Sequence, residues 1–318
     1  MHLALDRAEV NYNNVYYAEI DKFANKVTEH NFPSDVALGD VTKWREWNID
    51  WSSIGLVGAG FPCQSWSIAG QQLGDKDERG MLFWTTLEII AHVLKHNPSA
   101  KFLMENVKMK KDFEEYITHH TTQALGYVEK TLINSALVSA QNRNRYYWTN
   151  FEVSHPEDKG VLLRDIIEIN PRGFDLSSQR VSTIKKSRTG GVFIDPETKD
   201  KVGTLIASYY KIPSDGNYIV RGGAIRGRYN EDGSTSQKLE VNTTGRTNAL
   251  TTVQKDNVVV FGSVQYRKLT PLECERLQTF PDNWTDCLSN TQRYKTIGNA
   301  WTVDIIAHIL KCAFNKTK

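Results

Sequence analysis

The chain has few cysteines, and none of them falls in a spacing typical of metal sites or of disulfide-bonded folds. Four occur in 318 residues: Cys63, Cys274, Cys287 and Cys312. They show no paired metal-ligand spacing and no disulfide framework, which excludes a zinc-finger module and a small disulfide-rich domain. We therefore expect no metal, and a protein that works in a reducing, intracellular compartment, the cytoplasm.

Long apolar runs and a strong net charge are also missing. No apolar run approaches the roughly 20 residues of a membrane-spanning helix, and no signal peptide is visible. The formal net charge is only +2. Residues 171–250 nevertheless hold 13 Lys and Arg against 8 Asp and Glu, a net charge of +5. Such a segment suits contacts with phosphates, although an excess of this size also fits an ordinary solvated surface.

The first part of the chain alternates between short apolar runs and amphipathic stretches. Strands are predicted over residues 15–20, 36–41, 54–60, 102–105, 127–135 and 139–148. Helices are predicted over residues 1–10, 21–30, 82–96 and 113–125. This alternation predicts an α/β fold, with a mostly parallel sheet covered by helices on both faces.

The pattern changes after about residue 150, where Gly, Ser, Thr, Asn and Arg become frequent and apolar runs shorten. We predict a smaller, irregular, β-rich domain over residues 151–262, with strand-like runs at 250–253 and 258–261. Helices over 271–280 and 302–314 return the chain to the larger domain. That domain is therefore predicted to comprise residues 1–150 and 263–318.

The most informative stretch is Pro62-Cys63-Gln64-Ser65, which is separated from the apolar run at 54–60 only by Phe61. Open α/β sheets place their chemistry at the carboxyl ends of strands, and a cysteine attacks best there as the thiolate. The alternative is a small buried hydrophobic side chain, the usual role of a free cysteine. The local sequence supports both interpretations.

Further motifs follow in a definite order. Residues 102–107 form an apolar strand that reaches Glu105, residues 139–148 contain Gln141, Arg143 and Arg145, and two more motifs occupy 267–281 and 297–301. Together with the Pro-Cys-Gln-Ser stretch, they resemble the motif set of the cytosine-5 DNA methyltransferase family, of bacterial or phage type. The resemblance covers the whole chain except roughly residues 150–262.

The resemblance implies a doubly wound, mostly parallel Rossmann-like methyltransferase sheet and a smaller β-rich target-recognition domain. It also implies that Cys63 attacks carbon 6 of cytosine, so that carbon 5 can take a methyl group from a sulfonium donor. Glu105 would stabilise the intermediate near ring nitrogen 3 and the exocyclic amine. Its alternative role is a strand-end acid paired with a surface base.

Arginines at period two are a second part of the expected catalytic centre. On one strand, Gln141, Arg143 and Arg145 would all face the same way. Two arginines there could orient the carbonyl group of the base and favour the thiolate, and the resemblance implies that Arg145 contacts the base. The alternative is an edge strand with several salt bridges.

The resemblance implies S-adenosylmethionine as the methyl donor and S-adenosylhomocysteine as the product. Glu19 matches the acid that binds the ribose hydroxyls, and Asp40 matches the acid that meets the adenine amine. Acids at strand ends are common, so these two gain weight only from their order in the motif set. The other residues carried over to the cofactor site are Ile20, Val41, Pro62, Leu82, Asn299 and Ala300.

Double-stranded DNA is the expected partner. The target base must leave the stacked duplex, so a mobile loop should close behind it. Residues 64–80 are polar and contain three glycines, which suits such a loop, with Gln64 and Ser67 contacting DNA. In the β-rich domain, the candidates for DNA contacts are Arg221, Arg226 and Arg228.

The resemblance fails at the start of the chain. The family begins with a strand and a Gly-rich turn that cradles the methionine half of the donor, whereas residues 1–8 resemble the helix after that turn. The missing strand would lie beside the strands that lead to Glu19 and Cys63. Three explanations fit: a shortened form, a separate polypeptide that supplies the strand, or a decayed paralogue. We expect this chain to bind the donor weakly or not at all.

Two other functions stay open. The related tRNA cytosine-5 methyltransferases share many of the motifs, but the long basic segment between motifs suits the reading of DNA better. An inactive DNA-binding paralogue would keep the motifs without activity. Calorimetric measurement of donor binding separates the inactive paralogue from the enzymes.

We expect residues 151–262 to choose the DNA sequence, because contacts from this basic segment would fix the register on the duplex while a few base-edge contacts specify it. Moving the segment into a related enzyme should transfer the recognition sequence, as read by sequencing of methylated sites. An unchanged methylation pattern would contradict this expectation.

Overall fold

The chain divides into two compact units. The computed structural model describes residues 1–62, 81–168, 171, 173–176, 179, 181–183, 192–194, 200–204, 217–219, 224–229, 235–240 and 266–314. The first unit comprises Met1–Asn134, Asn144–Pro156 and Val303–Lys318, and the second comprises Ser135–Arg143 and Glu157–Thr302. Residues 263–302, assigned above to the larger domain, thus belong to the second unit. The predicted domains are defined by function and stay a prediction.

Helices and strands are numbered here in chain order over the described residues. The helices are α1 (His2–Arg7), α2 (Lys22–Asn31), α3 (Leu82–His96), α4 (Lys111–Leu125), α5 (Leu163–Ile166), α6 (Pro271–Leu277), α7 (Asn290–Asn299) and α8 (Val303–Phe314). The strands are β1 (Tyr16–Tyr17), β2 (Val36–Ala37), β3 (Leu56–Gly60), β4 (Lys101–Val107), β5 (Glu129–Asn134), β6 (Gln141–Asn142), β7 (Asn144–Thr149), β8 (Asp175–Leu176), β9 (Val192–Ile194), β10 (Val202–Gly203), β11 (Asn217–Ile219), β12 (Ala224–Tyr229), β13 (Thr235–Glu240) and β14 (Tyr266–Lys268).

The first unit contains a four-stranded sheet in the order β3-β4-β7-β5. Strands β3 and β4 are parallel, whereas β7 runs antiparallel to both of its neighbours. The α/β prediction is therefore confirmed. The sheet is mixed, because β7 runs against the direction of the other strands. The predicted strand over residues 139–148 is wrong as one element, because it is split into β6 and β7 on either side of Arg143.

A second, two-stranded parallel sheet in the first unit consists of β1 and β2. Among the described residues, β1 pairs only with β2 and β3 pairs only with β4. The strand that leads to Glu19 and the strand that leads to Pro62 thus lie in separate sheets.

Helix ends in this unit are set by side chains and by glycine. The carboxylate of Asp21 accepts a hydrogen bond from the Phe23 amide at 2.9 Å, and α2 begins there. Helix α4 ends at Gly126, whose φ of 85° is easily adopted only without a Cβ atom. Both features satisfy or redirect backbone groups that a helix terminus leaves unpaired.

The core of the first unit lies between one face of the sheet and helices α3 and α4. Alternate residues of β4, Phe102 and Met104, point to this face together with Trp148 of β7. The indole nitrogen of Trp148 donates to the Thr118 hydroxyl on α4 at 2.9 Å. The buried cluster consists of Phe61, Phe83, Leu87, Ile90, Phe102, Met104, Met109, Ile117, Tyr146 and Trp148.

The second unit contains short strands and two buried ion pairs. Its four-stranded sheet has the order β8-β14-β11-β9, and β12 and β13 form an antiparallel pair. Helix α6 begins at Thr270 with a capping box that Glu273 completes. Glu273 pairs with Arg267 at 2.8 Å, and Glu275 pairs with Arg293 at 2.9 Å. The strand-like runs at 250–253 and 258–261 lie outside the described residues.

Among the described residues, no helix is long and apolar enough to cross a membrane. Helix α7 was not predicted, because its sequence is polar throughout most of its length.

Replacing Ile117 by Ala should lower the free energy of unfolding by about 2–5 kcal/mol, since it leaves a cavity in the core between α4 and the sheet. Gln123→Ala on the same helix is the matched control, because Gln123 is exposed. Denaturant unfolding measures both changes. Equal losses in the two variants would contradict the assigned core.

Candidate active site

The carboxyl ends of β3 and β4 meet at one edge of the sheet. Gly60, the last residue of β3, lies directly opposite Glu105 of β4. Phe61 and Pro62 follow β3, and Cys63 comes next in the chain. Cys63, Gln64, Ser67 and the predicted closing loop at 64–80 lie outside the described residues. The strand that precedes the candidate nucleophile is thus confirmed, whereas the position of the thiol is not described.

Glu105 forms an ion pair with Arg145 on the neighbouring strand. The Nε atom of Arg145 lies 2.9 Å from Oε1 of Glu105, and each side chain is only 11% exposed. Arg145 is opposite Val107, which shares a strand face with Glu105, so the two charged residues are diagonal neighbours on one face. The partner of Glu105 is therefore the mostly buried Arg145 and not a surface residue. Arg145 is itself a candidate catalytic residue.

Asn106 fixes the turn after β3 from the opposite face of β4. Its side chain is buried, donates from Nδ2 to the Phe61 carbonyl at 3.2 Å, and accepts from the Val107 amide at 2.8 Å. Asn106 is not among the residues that the sequence predicts for the site. Its only sequence signal is a polar residue at an inward position of an apolar strand, which predicts a buried hydrogen bond without naming its partner.

Gln141 and Arg143 do not share a strand with Arg145. Arg143 is 4% exposed and donates from Nη2 to the Ala300 carbonyl at 3.0 Å. Gln141 is buried and donates to the Leu277 carbonyl at 3.1 Å. The expectation that all three residues face the same way on one strand is wrong, because the strand breaks at Arg143 and the two arginines belong to different units.

Glu19 is held by its own main chain. Its Oε1 atom accepts from the amides of Ile20 and Asp21, both at 2.8 Å, and Asn25 donates to the Glu19 carbonyl at 3.2 Å. The next side chain, Ile20, is 78% exposed. The segment therefore presents an oriented carboxylate beside an exposed apolar surface.

Asp40 also has a fixed carboxylate. Its Oδ1 atom accepts from the Thr42 amide at 2.9 Å and from the Thr42 hydroxyl at 2.8 Å. These hydrogen bonds, the backbone one first, lower the pKa of Asp40, so the group stays ionised to a lower pH than an ordinary aspartate. Val41 begins the 3₁₀ helix that Asp40 caps.

The remaining cofactor candidates lie at the ends of elements. Pro62 follows β3, and Leu82 is the first residue of α3; both are partly buried. Asn299 is the exposed last residue of α7, and Ala300 follows it in extended conformation. The candidates up to Leu82 belong to the first unit, and Asn299 and Ala300 belong to the second.

Two of the three candidate DNA-contacting arginines lie on β12. In its register with β13, Arg226 is opposite Lys238 and Arg228 is opposite Ser236. Arg221 lies outside the described residues.

Three cysteines lie among the described residues. Cys274 is buried in α6, and desolvation raises its pKa well above the ordinary value, which makes it a poor nucleophile. Cys287 and Cys312 are partly buried. Over the described part of the chain, no cluster of His, Cys, Asp and Glu could hold a metal ion.

The α/β fold of this chain is shared by solved structures. An Entamoeba histolytica methyltransferase, EhMeth, matches with a TM-score of 0.68 at 16% identity over 100% of this chain and 95% of its own. A mutant of Spodoptera frugiperda DNMT2 matches with a TM-score of 0.64 at 21% identity, over 98% and 96%. The methyltransferase fold is therefore confirmed.

Sequence comparison identifies the family. The family model described as C-5 cytosine-specific DNA methylase matches residues 1–315. The Type II methyltransferase M.HpaII of Haemophilus parainfluenzae is 33% identical over 313 residues, 92% of this chain and 80% of that protein. M1.ScrFI, a Type II methyltransferase of Lactococcus lactis subsp. cremoris, is 31% identical over 318 residues, 92% and 69%. This chain belongs to the C-5 cytosine-specific DNA methylase family, as the motif order predicted.

Asn106→Ala should lower kcat for methyl transfer by about 10- to 100-fold, because the turn before Cys63 loses a hydrogen bond that orients it. Asn150→Ala is the matched control. Asn150 makes two similar bonds at the other end of β4, to the Ala100 carbonyl and from the Phe102 amide, both at 2.9 Å.

Both asparagine variants should lose about 1–3 kcal/mol of unfolding free energy, since each removes two hydrogen bonds to main-chain groups. Only Asn106→Ala should lose turnover under conditions where both proteins are folded. Equal kcat values for the two variants would show that the Asn106 bond merely stabilises the fold.

Proposed function

We propose that this protein transfers a methyl group from S-adenosylmethionine to carbon 5 of a cytosine in double-stranded DNA, with Cys63 as the nucleophile. The observation that carries the proposal is the buried Glu105–Arg145 pair at the carboxyl end of β4. Glu105 lies opposite the last residue of β3, and Cys63 is three residues further along the chain. Membership of the family supports this assignment of roles.

The first step forms a bond between the Cys63 sulfur and carbon 6 of the ring. The thiolate supplies the electron pair, and the ring electrons move toward carbon 5 and nitrogen 3. Glu105 donates a proton at ring nitrogen 3 and accepts a hydrogen bond from the exocyclic amine. Arg145 orients the Glu105 carboxyl group through their 2.9 Å contact, and we assign Arg145 a further contact with the base.

The second step forms the carbon–carbon bond. S-adenosylmethionine, when bound, would supply an electrophilic methyl group to enamine-like carbon 5. The bond from its sulfonium sulfur to that methyl group would break, and S-adenosylhomocysteine would leave. The proton on carbon 5 then passes to solvent, the bond from sulfur to carbon 6 breaks, and Cys63 leaves as the thiolate while Glu105 regains its proton. Arg143 is proposed to support the base-binding segment.

The fixed carboxylates fit the adenosine half of the cofactor. One oxygen of Glu19 is held by two main-chain amides, so the group is oriented before a ligand arrives, and a carboxylate accepts hydrogen bonds from ribose hydroxyls. The exposed Ile20 side chain offers an apolar surface to a purine ring. The ionised Asp40 is an acceptor for an exocyclic amine.

DNA binding is assigned to the basic segment and to the loop after Cys63. Gln64 and Ser67 are proposed to contact DNA as residues 64–80 close behind the extruded base. Arg221, Arg226 and Arg228 are proposed as contacts in the target-recognition domain. Arg226 and Arg228 lie on β12, and the net charge of +5 over residues 171–250 supports this assignment. We expect the enzyme to act in the bacterial cytoplasm.

Cys63→Ser should abolish methyl transfer and leave DNA binding intact, because an alcohol is a far weaker nucleophile than a thiolate. Duplex DNA with 5-fluorocytosine at the target should trap a covalent adduct of the unsubstituted protein, since fluorine cannot leave carbon 5 as a proton does. Peptide mapping by mass spectrometry should locate this adduct on Cys63. Cys312→Ser is the matched control and should retain both activities.

An adduct on another cysteine, or full activity of Cys63→Ser, would contradict the assigned nucleophile. The same assay with transfer RNA in place of duplex DNA tests the substrate class. If the protein methylates transfer RNA and not duplex DNA, then transfer RNA is its substrate. The role assigned to Cys63 would not change.

A further inference from the structure

Gln278 occupies a buried position immediately after α6 in the second unit. Its side chain is 0% exposed. The Nε2 atom donates to the carbonyls of Ile297 at 3.1 Å and Ala300 at 3.2 Å. The Oε1 atom accepts from the Thr302 hydroxyl at 2.8 Å and from Nε2 of Gln141 at 3.4 Å. The carboxamide therefore uses both donors and both acceptor positions.

The bonds of Gln278 join two segments that carry candidate site residues. One is the turn after α7, which contains Asn299 and Ala300. The other is the stretch from Ser135 to Arg143, which contains Gln141. The Ala300 carbonyl also accepts from Nη2 of Arg143 at 3.0 Å, so Gln278 and Arg143 donate to the same oxygen.

Further contacts make this junction rigid. The Ser135 and Thr302 hydroxyls lie 2.8 Å apart, and the Ser139 hydroxyl donates to the Leu277 carbonyl at 2.5 Å. All of these residues are buried. Because buried polar groups are costly to leave unpaired, the turn and the stretch cannot shift independently without breaking several bonds.

We infer that Gln278 is a positioning residue that couples the turn at Asn299–Ala300 to Arg143. The inference rests on the proposed function, which gives the turn to the donor and Arg143 to the segment that binds the base. A ligand that moves the Ala300 carbonyl would also move the oxygen to which the Arg143 guanidinium donates. Donor binding and DNA binding should therefore favour each other, and by linkage the effect is reciprocal.

A second buried network in the same unit provides a matched control. Glu275 accepts from the amides of Asn283 and Thr285, both at 2.8 Å, and pairs with Arg293 at 2.9 Å. The Thr285 hydroxyl also bonds to Glu275. This network contains none of the candidate site residues, so Thr285→Val removes a buried hydrogen bond without touching the Gln278 junction.

The experiment measures binding of S-adenosylhomocysteine to the full chain by calorimetry, with and without a substrate duplex. Gln278→Met keeps the size of the side chain but removes its donors and acceptors. We expect it to raise the Kd about tenfold and to abolish the increase in affinity that the duplex causes. Thr285→Val should leave the Kd and the effect of the duplex within about twofold of the values for the unsubstituted protein. This should hold even where Thr285→Val lowers the melting temperature as much as Gln278→Met does.

Amide hydrogen exchange of the free protein gives a readout that needs no ligand. Gln278→Met should speed exchange in residues 297–302 and 139–143, whereas Thr285→Val should not. Should Gln278→Met not fold, Gln278→Glu replaces it, because a glutamate keeps the shape and turns two donated bonds into repulsion between oxygens. Unchanged exchange at 297–302, or unchanged affinity and duplex effect in the folded variant, would overturn the inference.

Failure of the proposed function has a different signature. The unsubstituted protein would then methylate no DNA even at saturating S-adenosylmethionine, while the exchange measurement would still decide whether Gln278 holds the two segments.

Discussion

Strand β4 is the constraint on which the candidate active site depends. It is bonded on both sides, to β3 and to β7, and its residues from Phe102 to Asn106 are all buried. A shift of one residue in its register would exchange its two faces and send Glu105 into the apolar core. The packing of Phe102 and Met104 against α3 and α4 therefore fixes where the carboxylate lies, since no register that exposes these side chains is stable.

The three buried glutamates of the described residues, Glu105, Glu273 and Glu275, each pair with an arginine, but their surroundings differ. Glu273 and Glu275 are fully buried and receive main-chain amides as well as their arginines, so each has the partners that an interior charge requires. Glu105 has a residual exposure of 8% at the edge where β3 ends. This partial access fits the proton exchange that we propose for Glu105, and the fully buried Glu273 and Glu275 lack it.

The sequence predicts local structure well and long-range hydrogen bonds poorly. Helix α3 was predicted with its observed bounds, and β3 and β4 within a few residues, because apolar periodicity is local. The strand break at Arg143 was missed, because alternation at period two also occurs where a chain leaves one sheet for another. Asn106 and Gln278 were missed for a related reason: their partners lie 45 and 19 or more residues away, and no local pattern names them.

The break at Arg143 changes how the two arginines should be understood. They are separated only by Asn144, yet Arg143 donates to the Ala300 carbonyl within the second unit and Arg145 pairs with Glu105 within the first. On one strand, their guanidinium groups would repel each other over a common face, and each would need an anion nearby. On either side of a strand break, each has its own partner. The two arginines therefore have separate partners although they are two residues apart in sequence. Arg143 contacts the Ala300 carbonyl, to which Gln278 also donates, and Arg145 contacts the Glu105 carboxylate near the end of β4.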